Sequence, residues 1–135
     1  MFRPMRRTNR AIPEEAAKQL LEQSRRGVLA VNGDDGYPFA FPVNYFYDRE
    51  NAKIYFHGAK TGQKVDALKK SNKVCFTVYG NEHFEPGDWA PYLQSTVVFG
   101  RCRLIEDAAV TEAKVRELAA KYYPSAEEID VEVKK

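Results

Sequence analysis

The sequence predicts a mainly β fold of the α+β class, an antiparallel barrel with flanking helices. Five successive segments are rich in β-branched and aromatic residues, and one short helix is expected between the third and the fourth. The segment NGDDG at 32–36 is a dense turn signal of the kind that links antiparallel strands. Eight Tyr and eight Phe also suggest β-structure, a planar ligand, or both. A barrel this small cannot enclose a large cofactor, so we expect a ligand outside it, in a dimer cleft.

Length and composition limit the classes of protein to which the chain can belong. Its 135 residues, 44% hydrophobic and 30% charged, are typical of one soluble globular domain. No apolar run approaches the roughly 20 residues of a membrane helix, and no signal-peptide core follows the basic N-terminus. We therefore expect a cytoplasmic protein without a membrane partner. Cys75 and Cys102 lack CxxC spacing, so neither a metal site nor a disulfide is predicted. The formal net charge of +2 does not require a nucleic-acid partner.

A basic arm at 1–12 precedes the domain, which spans 13–124 and is followed by a charged tail at 125–135. The arm carries Arg3, Arg6, Arg7 and Arg10. We expect a solvated tail or an arm laid across a neighbouring subunit, with binding to RNA or a membrane surface as the alternative. The domain begins with an amphipathic helix that starts at Pro13, and Gly27 is expected to end it.

From Gly27 the side-chain pattern changes to a period of two. Residues 27–31 are predicted as the first strand and residues 37–47 as the second, which is aromatic or apolar at every other position. Pro38 and Pro42 fall in the opposite phase. This strand is therefore expected either at a sheet edge or with a bulge near Pro42, where free backbone groups would meet a ligand.

The remaining elements are expected as a strand at 52–57, a helix at 62–70, a strand at 73–79, an irregular loop at 80–91, a strand at 93–106 and a helix from 107 to 124. The loop holds the only tryptophan, Trp89, which is expected to pack into the protein or to cover a ligand. Gly100 is expected to bend the fifth strand at a barrel corner. Asp107 is expected to cap the last helix.

The segment 54–68 carries the strongest functional signal, a strand followed by a turn and a basic helix. Thr61 is expected to cap a helix that starts at Gly62. Free N–H groups and the positive end of the dipole make a helix start suitable for a phosphate. Lys60 and Lys64 oppose that dipole, so their position is explained by an anion bound between them. Ordinary solvated lysines on a strand–turn–helix segment are an equally weighted alternative.

Eight short segments form an ordered set of motifs: 5–7, 27–30, 36–39, 42–45, 55–64, 73–76, 92–100 and 106–107. The most specific of them is the turn His57-Gly58-Ala59-Lys60, followed by Lys64. Together these motifs resemble the FMN-binding split-barrel proteins related to pyridoxamine 5'-phosphate oxidase, and within them the nitroimidazole-resistance (Nim-type) branch. The resemblance covers nearly the whole chain up to the end of the last helix. It implies an antiparallel split β-barrel with flanking helices.

The resemblance also implies a homodimer with two FMN molecules at the subunit interface. On the turn, the implied cofactor-binding residues are His57, Gly58 and Ala59, beside the ribityl chain and the flavin edge, and Lys60, Thr61 and Lys64, at the phosphate. The other implied residues are Pro42, Val43 and Asn44, whose main chain meets the pyrimidine side of the ring, and Trp89, Tyr92 and Ser95, which come from the partner subunit. A final strand completes the barrel in this family, and residues 129–135 are its expected start.

The implied function is that of an oxidoreductase. A nicotinamide donor, NADH or NADPH, would reduce the flavin, which would pass electrons to a small electrophile such as an aromatic nitro group. His57 is the candidate catalytic proton donor, because histidines titrate near neutrality. A His57 that only hydrogen-bonds backbone or flavin is the alternative. Two other functions stay open: a flavin or haem binder that stores or senses its cofactor, and a barrel that stacks single-stranded nucleic acid, which the near-neutral charge disfavours.

Overall fold

The computed structural model describes residues 3–58, 61–87, 89–105 and 107–122. In chain order the elements are helix α1 (Glu14–Gln23), strands β1 (Arg26–Asn32), β2 (Pro38–Asp48) and β3 (Lys53–Phe56), helix α2 (Gln63–Lys70), strands β4 (Lys73–His83) and β5 (Tyr92–Arg101), and helix α3 (Ala108–Tyr122). The predicted order of strands and helices is confirmed. The tail at 125–135 and the strand expected at 129–135 lie outside the described residues.

The strands form one five-stranded antiparallel sheet in the order β3-β2-β1-β4-β5. The central strand, β1, pairs with β2 over its whole length and with β4 on its other side. β3 and β5 are the two edges, and no pairing within the described ranges joins them. The predicted antiparallel architecture is confirmed, as a barrel that is open between β3 and β5 in these ranges.

The core lies between one face of this sheet and helices α1 and α2. Leu29, 2% exposed, is at its centre because it pairs with both Phe41 and Phe76 on the neighbouring strands. Tyr45 is fully buried, and its hydroxyl donates a hydrogen bond to the carbonyl of Leu21 in α1. The cluster of buried residues is Leu20, Leu21, Leu29, Val31, Phe41, Tyr45, Ala67, Leu68, Phe76 and Val78.

Gly27 does not end α1, as the sequence predicted, but lies inside β1. The helix stops at Gln23, and Ser24 closes it with a backbone hydrogen bond to Leu20. Gly27 is buried directly against the ring of Phe76, where a Cβ atom would lie 2.2 Å from the nearest ring carbon. A side chain is therefore excluded at residue 27 by packing between strands.

The two prolines of β2 lie in a stretch with one strand partner. β3 pairs only with the end of β2, from Tyr45 to Asp48. Within the described chain, residues 38–44 are therefore hydrogen-bonded on the β1 side alone, although β2 is not an outer strand of the sheet. Pro38 and Pro42 fit there because they need not donate to a second strand. The register with β1 is continuous, so the bulge near Pro42 is not found, and β2 is not an edge strand of the sheet; only its first part has a free side.

β4 is longer than predicted, and the loop after it is shorter. The strand continues to His83, which pairs with Tyr92 at the start of β5. A register shift between Gly80 and His83 accommodates Asn81, whose φ is 55°. The irregularity therefore falls in β4, whereas Gly100 of β5 pairs in register with Val74 and makes no corner.

Helix α3 is anchored to β2 by its last turn. The N–H of Tyr45 donates to the Tyr122 hydroxyl at 3.0 Å, and that hydroxyl donates to the carbonyl of Arg25. Lys121 donates to the carbonyl of Tyr45, and its Nζ lies 3.6 Å from the centroid of the Tyr45 ring. Burial, helped by the nearby charge of Arg25, lowers the pKa of Lys121 from 10.5 to about 8.

The start of α3 has the cap that the sequence predicted. One carboxylate oxygen of Asp107 accepts hydrogen bonds from the N–H groups of Ala109, at 2.9 Å, and Val110, at 3.1 Å. The predicted end of the helix at Pro124 lies outside the described residues. Asp107 therefore completes the first turn of α3, whereas the Tyr122 hydroxyl attaches the last described turn to the sheet.

Candidate functional site

Helix α2 begins one residue later than predicted, and no side chain caps its start. The N-cap is Gly62, at φ 127°, a left-handed value that glycine adopts without strain. The predicted capping role of Thr61 is therefore wrong, and Thr61 lies exposed before the N-cap. The first hydrogen bond of the helix runs from the N–H of Asp66 to the carbonyl of Gly62. The backbone N–H groups that precede Asp66 in the first turn have no partner within the helix. Since no side-chain oxygen occupies them, these N–H groups are available to an anion.

Lys64 connects this helix start to the middle of β2. Its Nζ lies 4.3 Å from the centroid of the Phe41 ring, a cation–π contact. Phe41 belongs to the buried core, so the contact fixes the position of the ammonium group beside the first turn of α2. Thr61 and Lys64 thus share one helix start, whereas Ala59 and Lys60 lie outside the described residues.

The open edge of β2 contains the three residues whose main chain was predicted to meet the flavin ring. Pro42 and Asn44 are exposed, and Val43 is half-buried. All three belong to the stretch that β3 does not cover. Backbone groups of Pro42 and Asn44 are therefore accessible there, because alternate residues of β2 face away from β1, on the same strand as the Phe41 ring that Lys64 contacts.

His57 and Gly58 leave the sheet beside this edge. Tyr45 and Phe56 form the last described pair between β2 and β3, so His57 follows directly at the level of Asn44. His57 and Gly58 are both exposed, and a Cβ at Gly58 would have no atom within 4 Å. His57 makes no hydrogen bond to the described part of the chain. The structure therefore brings Pro42, Val43, Asn44, His57, Gly58 and Lys64 of one subunit to the middle of β2.

The face of the sheet opposite the core carries exposed apolar side chains. Directly paired residues of antiparallel strands share a face, so Pro42, Val28, Thr77 and Val97 form one row across β2, β1, β4 and β5. Val28 is 37% exposed and Val97 is 52% exposed. We call this surface the outer face; it comprises Pro42, Asn44, Val28, Ala30, Cys75, Thr77, Tyr79, Ser95, Val97 and Phe99.

Trp89, Tyr92 and Ser95 are not brought to the other predicted residues within one chain. Tyr92 and Ser95 lie on the edge strand β5, which β1 and β4 separate from β2. Three strand spacings amount to about 14 Å. Trp89 is 92% exposed in the segment before β5, so it packs against little of its own chain. The prediction that these three residues act on a partner subunit remains a prediction.

His83, the last residue of β4, lies on the surface. Its Nε2 is 3.2 Å from a Glu85 carboxylate oxygen, and its ring stacks on Tyr92 with centroids 5.7 Å apart. Both side chains of the ion pair are more than half exposed. His83 is thus part of the β4–β5 end of the sheet and is remote from the open edge of β2.

No group of acidic, histidine or cysteine side chains in the described ranges could hold a metal ion. Cys75 and Cys102 are free and partly buried, and burial raises the pKa of the Cys102 thiol, which disfavours the reactive thiolate. Among the helices of the described chain, none combines the length and the apolar composition needed to cross a membrane.

Comparison with known proteins identifies the family. A family model described as pyridoxamine 5'-phosphate oxidase matches residues 13–134. The chain belongs to the pyridoxamine 5'-phosphate oxidase family. The match confirms the predicted relationship and continues beyond α3 through most of the tail at 125–135. No functionally curated protein matches the chain.

Several solved structures have the same fold. A candidate 5-nitroimidazole antibiotic resistance protein from Bacteroides thetaiotaomicron is 18% identical, with a TM-score of 0.75 over 84% of this chain and 68% of that one. A flavocytochrome from Azotobacter vinelandii is 24% identical, with a TM-score of 0.68 over 87% and 59%. An FAD-binding protein from Mesorhizobium loti is 21% identical, with a TM-score of 0.63 over 85% and 81%. At these identities the likeness shows the fold, which is the predicted split barrel.

The outer face is the feature of the site that sequence reasoning missed. Its signal was present in β1 and β5, where neighbouring residues of both phases are apolar: Val28 with Leu29, and Val97 with Val98. A strand that is apolar in both phases is typical of a sheet covered on both faces. In this family member α1 and α2 cover one face. On the other face α3 lies against the β2–β3 end, where Lys114 contacts the Tyr55 ring, and Val28, Val97 and Phe99 stay exposed.

Proposed function

We propose that this protein is an FMN-binding homodimer that reduces small electrophilic substrates with electrons from NADH or NADPH. The observation that carries the proposal is that two sets of unpaired backbone groups lie near each other. One is the uncapped start of α2 and the other is the open edge of β2. One suits a phosphate and the other suits the polar edge of a planar ring. The flavin-binding relatives described above support a flavin as the ligand that has both parts.

The phosphate end of the ligand fits the start of α2. Unpaired N–H groups, the positive end of the helix dipole and the Lys64 ammonium all favour a phosphate dianion there. Gly62 and Gly58 leave the approach open, since a Cβ at either would have no atom within 4 Å. In this proposal Thr61 adds a hydroxyl, and Lys60 and Ala59 complete the turn.

The ring end of the ligand fits the open edge of β2. Backbone N–H and C=O groups that lack a strand partner are suited to the alternating donors and acceptors of a flavin pyrimidine. Asn44 supplies an N–H and a carbonyl on that side and Pro42 supplies a carbonyl only, whereas the backbone of Val43, in the opposite phase, faces β1. His57 and Gly58 are proposed to line the ribityl chain and the flavin edge, because they leave β3 at the level of Asn44.

The outer face supports the homodimer. Exposed apolar side chains in adjacent rows mark a surface that is usually covered by a partner. The outer face holds Pro42 and Asn44 near one edge of the sheet and Ser95 at the other. Packing of two copies through this face about a twofold axis would bring Ser95 of one subunit towards Pro42 and Asn44 of the other. This arrangement explains why one chain alone does not assemble the predicted site.

When bound, FMN supplies the hydride and electron chemistry, from a nicotinamide donor to an acceptor such as an aromatic nitro group. The chain holds the ring between backbone groups on β2 and leaves the exposed His57 at the flavin edge. We propose that His57 donates a proton to the reduced substrate at that edge. Trp89 and Tyr92 of the partner subunit are proposed to exclude water from the same cleft.

Titration of the purified protein with FMN, FAD and riboflavin tests the proposal. We expect flavin absorbance to stay with the protein after desalting, and FMN to bind more tightly than riboflavin because of its phosphate. NADH or NADPH added without oxygen is then expected to bleach that absorbance. Tighter binding of FAD would correct the cofactor, and retained colour without bleaching would leave a flavin-binding protein in place of an enzyme. A protein that stays colourless in excess FMN would refute the proposal.

A further inference from the structure

We propose that a basic groove at the end of α2 binds a phosphorylated small molecule of nucleotide size. The groove has a volume of about 550 Å³. We call it the basic groove; it is defined by Leu68, Lys69, Lys70, Lys73, Arg103 and Leu104. Ligand sites for small molecules usually measure about 300 to 1,000 Å³.

The charge of the basic groove is one-sided. Among the residues that the structure describes, four of those lining the groove are cations and none is acidic. Lys70 is 3.5 Å from Asp34, but both side chains are more than 60% exposed, so this ion pair stabilises little. Lys69, Lys73 and Arg103 have no carboxylate partner in the part of the chain that the structure describes.

Only two of these four cations lie where the fold itself favours a positive charge. Lys69 and Lys70 lie in the last turn of α2, where positive charge is favourable to the helix dipole. Lys73, however, pairs directly with Arg101 on β5, and like charges at opposite positions destabilise a sheet. Arg103 adds another cation just beyond that pair. A bound anion would offset this repulsion.

The other side chains of the basic groove favour an organic phosphate over an inorganic ion. Leu68 and the 45% exposed Leu104 form an apolar wall beside the cations. Ser71 accepts a hydrogen bond from Asn32 at 3.1 Å, so its own hydroxyl proton remains available to a phosphate oxygen. The groove therefore offers cations to a phosphate and apolar surface to the rest of the molecule.

The basic groove is separate from the proposed FMN phosphate site. The two lie at opposite ends of α2, and eight helical residues span about 12 Å. Binding in the groove therefore does not depend on the proposed function. Substitutions in the groove are expected to leave FMN affinity unchanged.

Isothermal titration of the full chain with ADP, in the presence of saturating FMN, tests the proposal, and adenosine serves as the uncharged comparison. We expect ADP to bind and adenosine not to bind at the same concentrations. The double variant Lys73→Gln/Arg103→Gln is expected to lose about tenfold or more in ADP affinity. The matched control is Lys18→Gln/Lys53→Gln, which removes two charges outside the groove and is expected to bind ADP like the wild type.

Three results would overturn the proposal: no heat of binding with ADP, equal affinity for ADP and adenosine, or equal loss of affinity in both double variants. Tighter binding of a short single-stranded DNA than of ADP would also overturn it, in favour of a nucleic-acid surface. Thermal unfolding of each variant checks that the sheet is intact. A normal FMN titration of the groove variant distinguishes this outcome from a failure of the flavin proposal.

Discussion

Single residues show most directly how packing and charge determine this molecule. The ring of Phe76 covers the backbone of Gly27, so two neighbouring strands leave no volume for a side chain at that position. Lys64 has a different constraint, because its charge lies on an aromatic ring and beside a helix start at the same time. Substitution of Gly27 is therefore expected to lower stability, and substitution of Lys64 to weaken FMN binding.

We expect Gly27→Ala to lower the free energy of unfolding by about 1 to 3 kcal/mol, the usual cost of overpacking a core. The measurement is urea unfolding monitored by circular dichroism. Gly100→Ala is the matched control, since a Cβ there would have no atom within 4 Å. Equal unfolding midpoints for the two variants would contradict the close packing of Phe76 on β1.

Lys64→Met is expected to weaken FMN binding by about tenfold or more, because a charge-assisted contact to the phosphate is lost while the stem can still cover Phe41. Riboflavin, which has no phosphate, should bind both proteins equally. Flavin fluorescence measures both affinities, and Lys53→Met on β3 is the control. Undiminished FMN affinity in Lys64→Met, or in the shorter Lys64→Ala, would count against the assigned phosphate site.

At the scale of elements, α3 is held to the sheet by the polar groups of its last turn. The Tyr122 hydroxyl accepts a hydrogen bond from the N–H of Tyr45 and donates one to the carbonyl of Arg25. The Lys121 ammonium donates to the carbonyl of Tyr45. Lys121 is only partly buried, yet its ammonium loses hydration and faces Arg25. This attachment is therefore sensitive to the protonation of one lysine.

We expect stability to rise with pH over the window in which Lys121 is neutral in the folded chain and charged in the unfolded chain. Its pKa is about 8 when folded and 10.5 otherwise, so the unfolded state binds more protons between these values. Urea unfolding at about pH 7 and about pH 9.5 measures the change. Lys121→Met should lose this rise. An identical pH dependence in both proteins would refute the assignment.

Ionisation of Tyr45 has the opposite effect on stability, which it lowers as the pH rises above 10. Burial raises the pKa of its phenol from 10.0 to about 12, so the folded chain binds more protons than the unfolded chain between these values. Its contribution is complete below pH 10 and is lost as the pH rises towards 12. The test of Lys121 therefore has to stay below about pH 10, where the phenol does not contribute.

At the scale of the whole molecule, the proposed site depends on the proposed pairing of two copies through the outer face. Helices α1 and α2 bury one face of the sheet. On the other face α3 lies against the β2–β3 end, and Val28, Val97 and Phe99 of the outer face stay exposed. The residues predicted for the partner subunit lie at the opposite edge of the sheet from the open edge of β2. A monomer would thus hold two half-sites that cannot meet.

Val97→Lys is expected to convert the proposed dimer into a monomer, because a charge would be buried in the proposed interface on the outer face. Sedimentation equilibrium measures the mass, and an FMN titration is expected to show weaker binding. Val110→Lys is the control, as Val110 is similarly exposed, at 43%, but lies on α3. A variant as dimeric as the wild type would show that another surface forms the dimer.

Several elements were predictable because their causes are local in the sequence. The turn at 32–36 and the aromatic alternation in β2 each depend on a few neighbouring residues, and both predictions are confirmed. The extension of β4 to His83 was missed because it depends on pairing with Tyr92, across a loop. The end of α1 was misassigned because Gly27 is required by Phe76, about fifty residues away, and not by the helix.

By itself the sequence determined the family, the antiparallel class of the sheet and the chemistry of the turn before α2. These properties follow from periodicity, turn residues and the order of motifs, all of which involve residues that are close in the sequence or follow each other in order. Only the tertiary structure decided that the start of α2 has no side-chain cap, that β2 has an open edge beside it, and that cations gather at the other end of the helix. These features depend on which strands end first and which ring lies against which backbone. They are relations between distant residues, which no local pattern specifies.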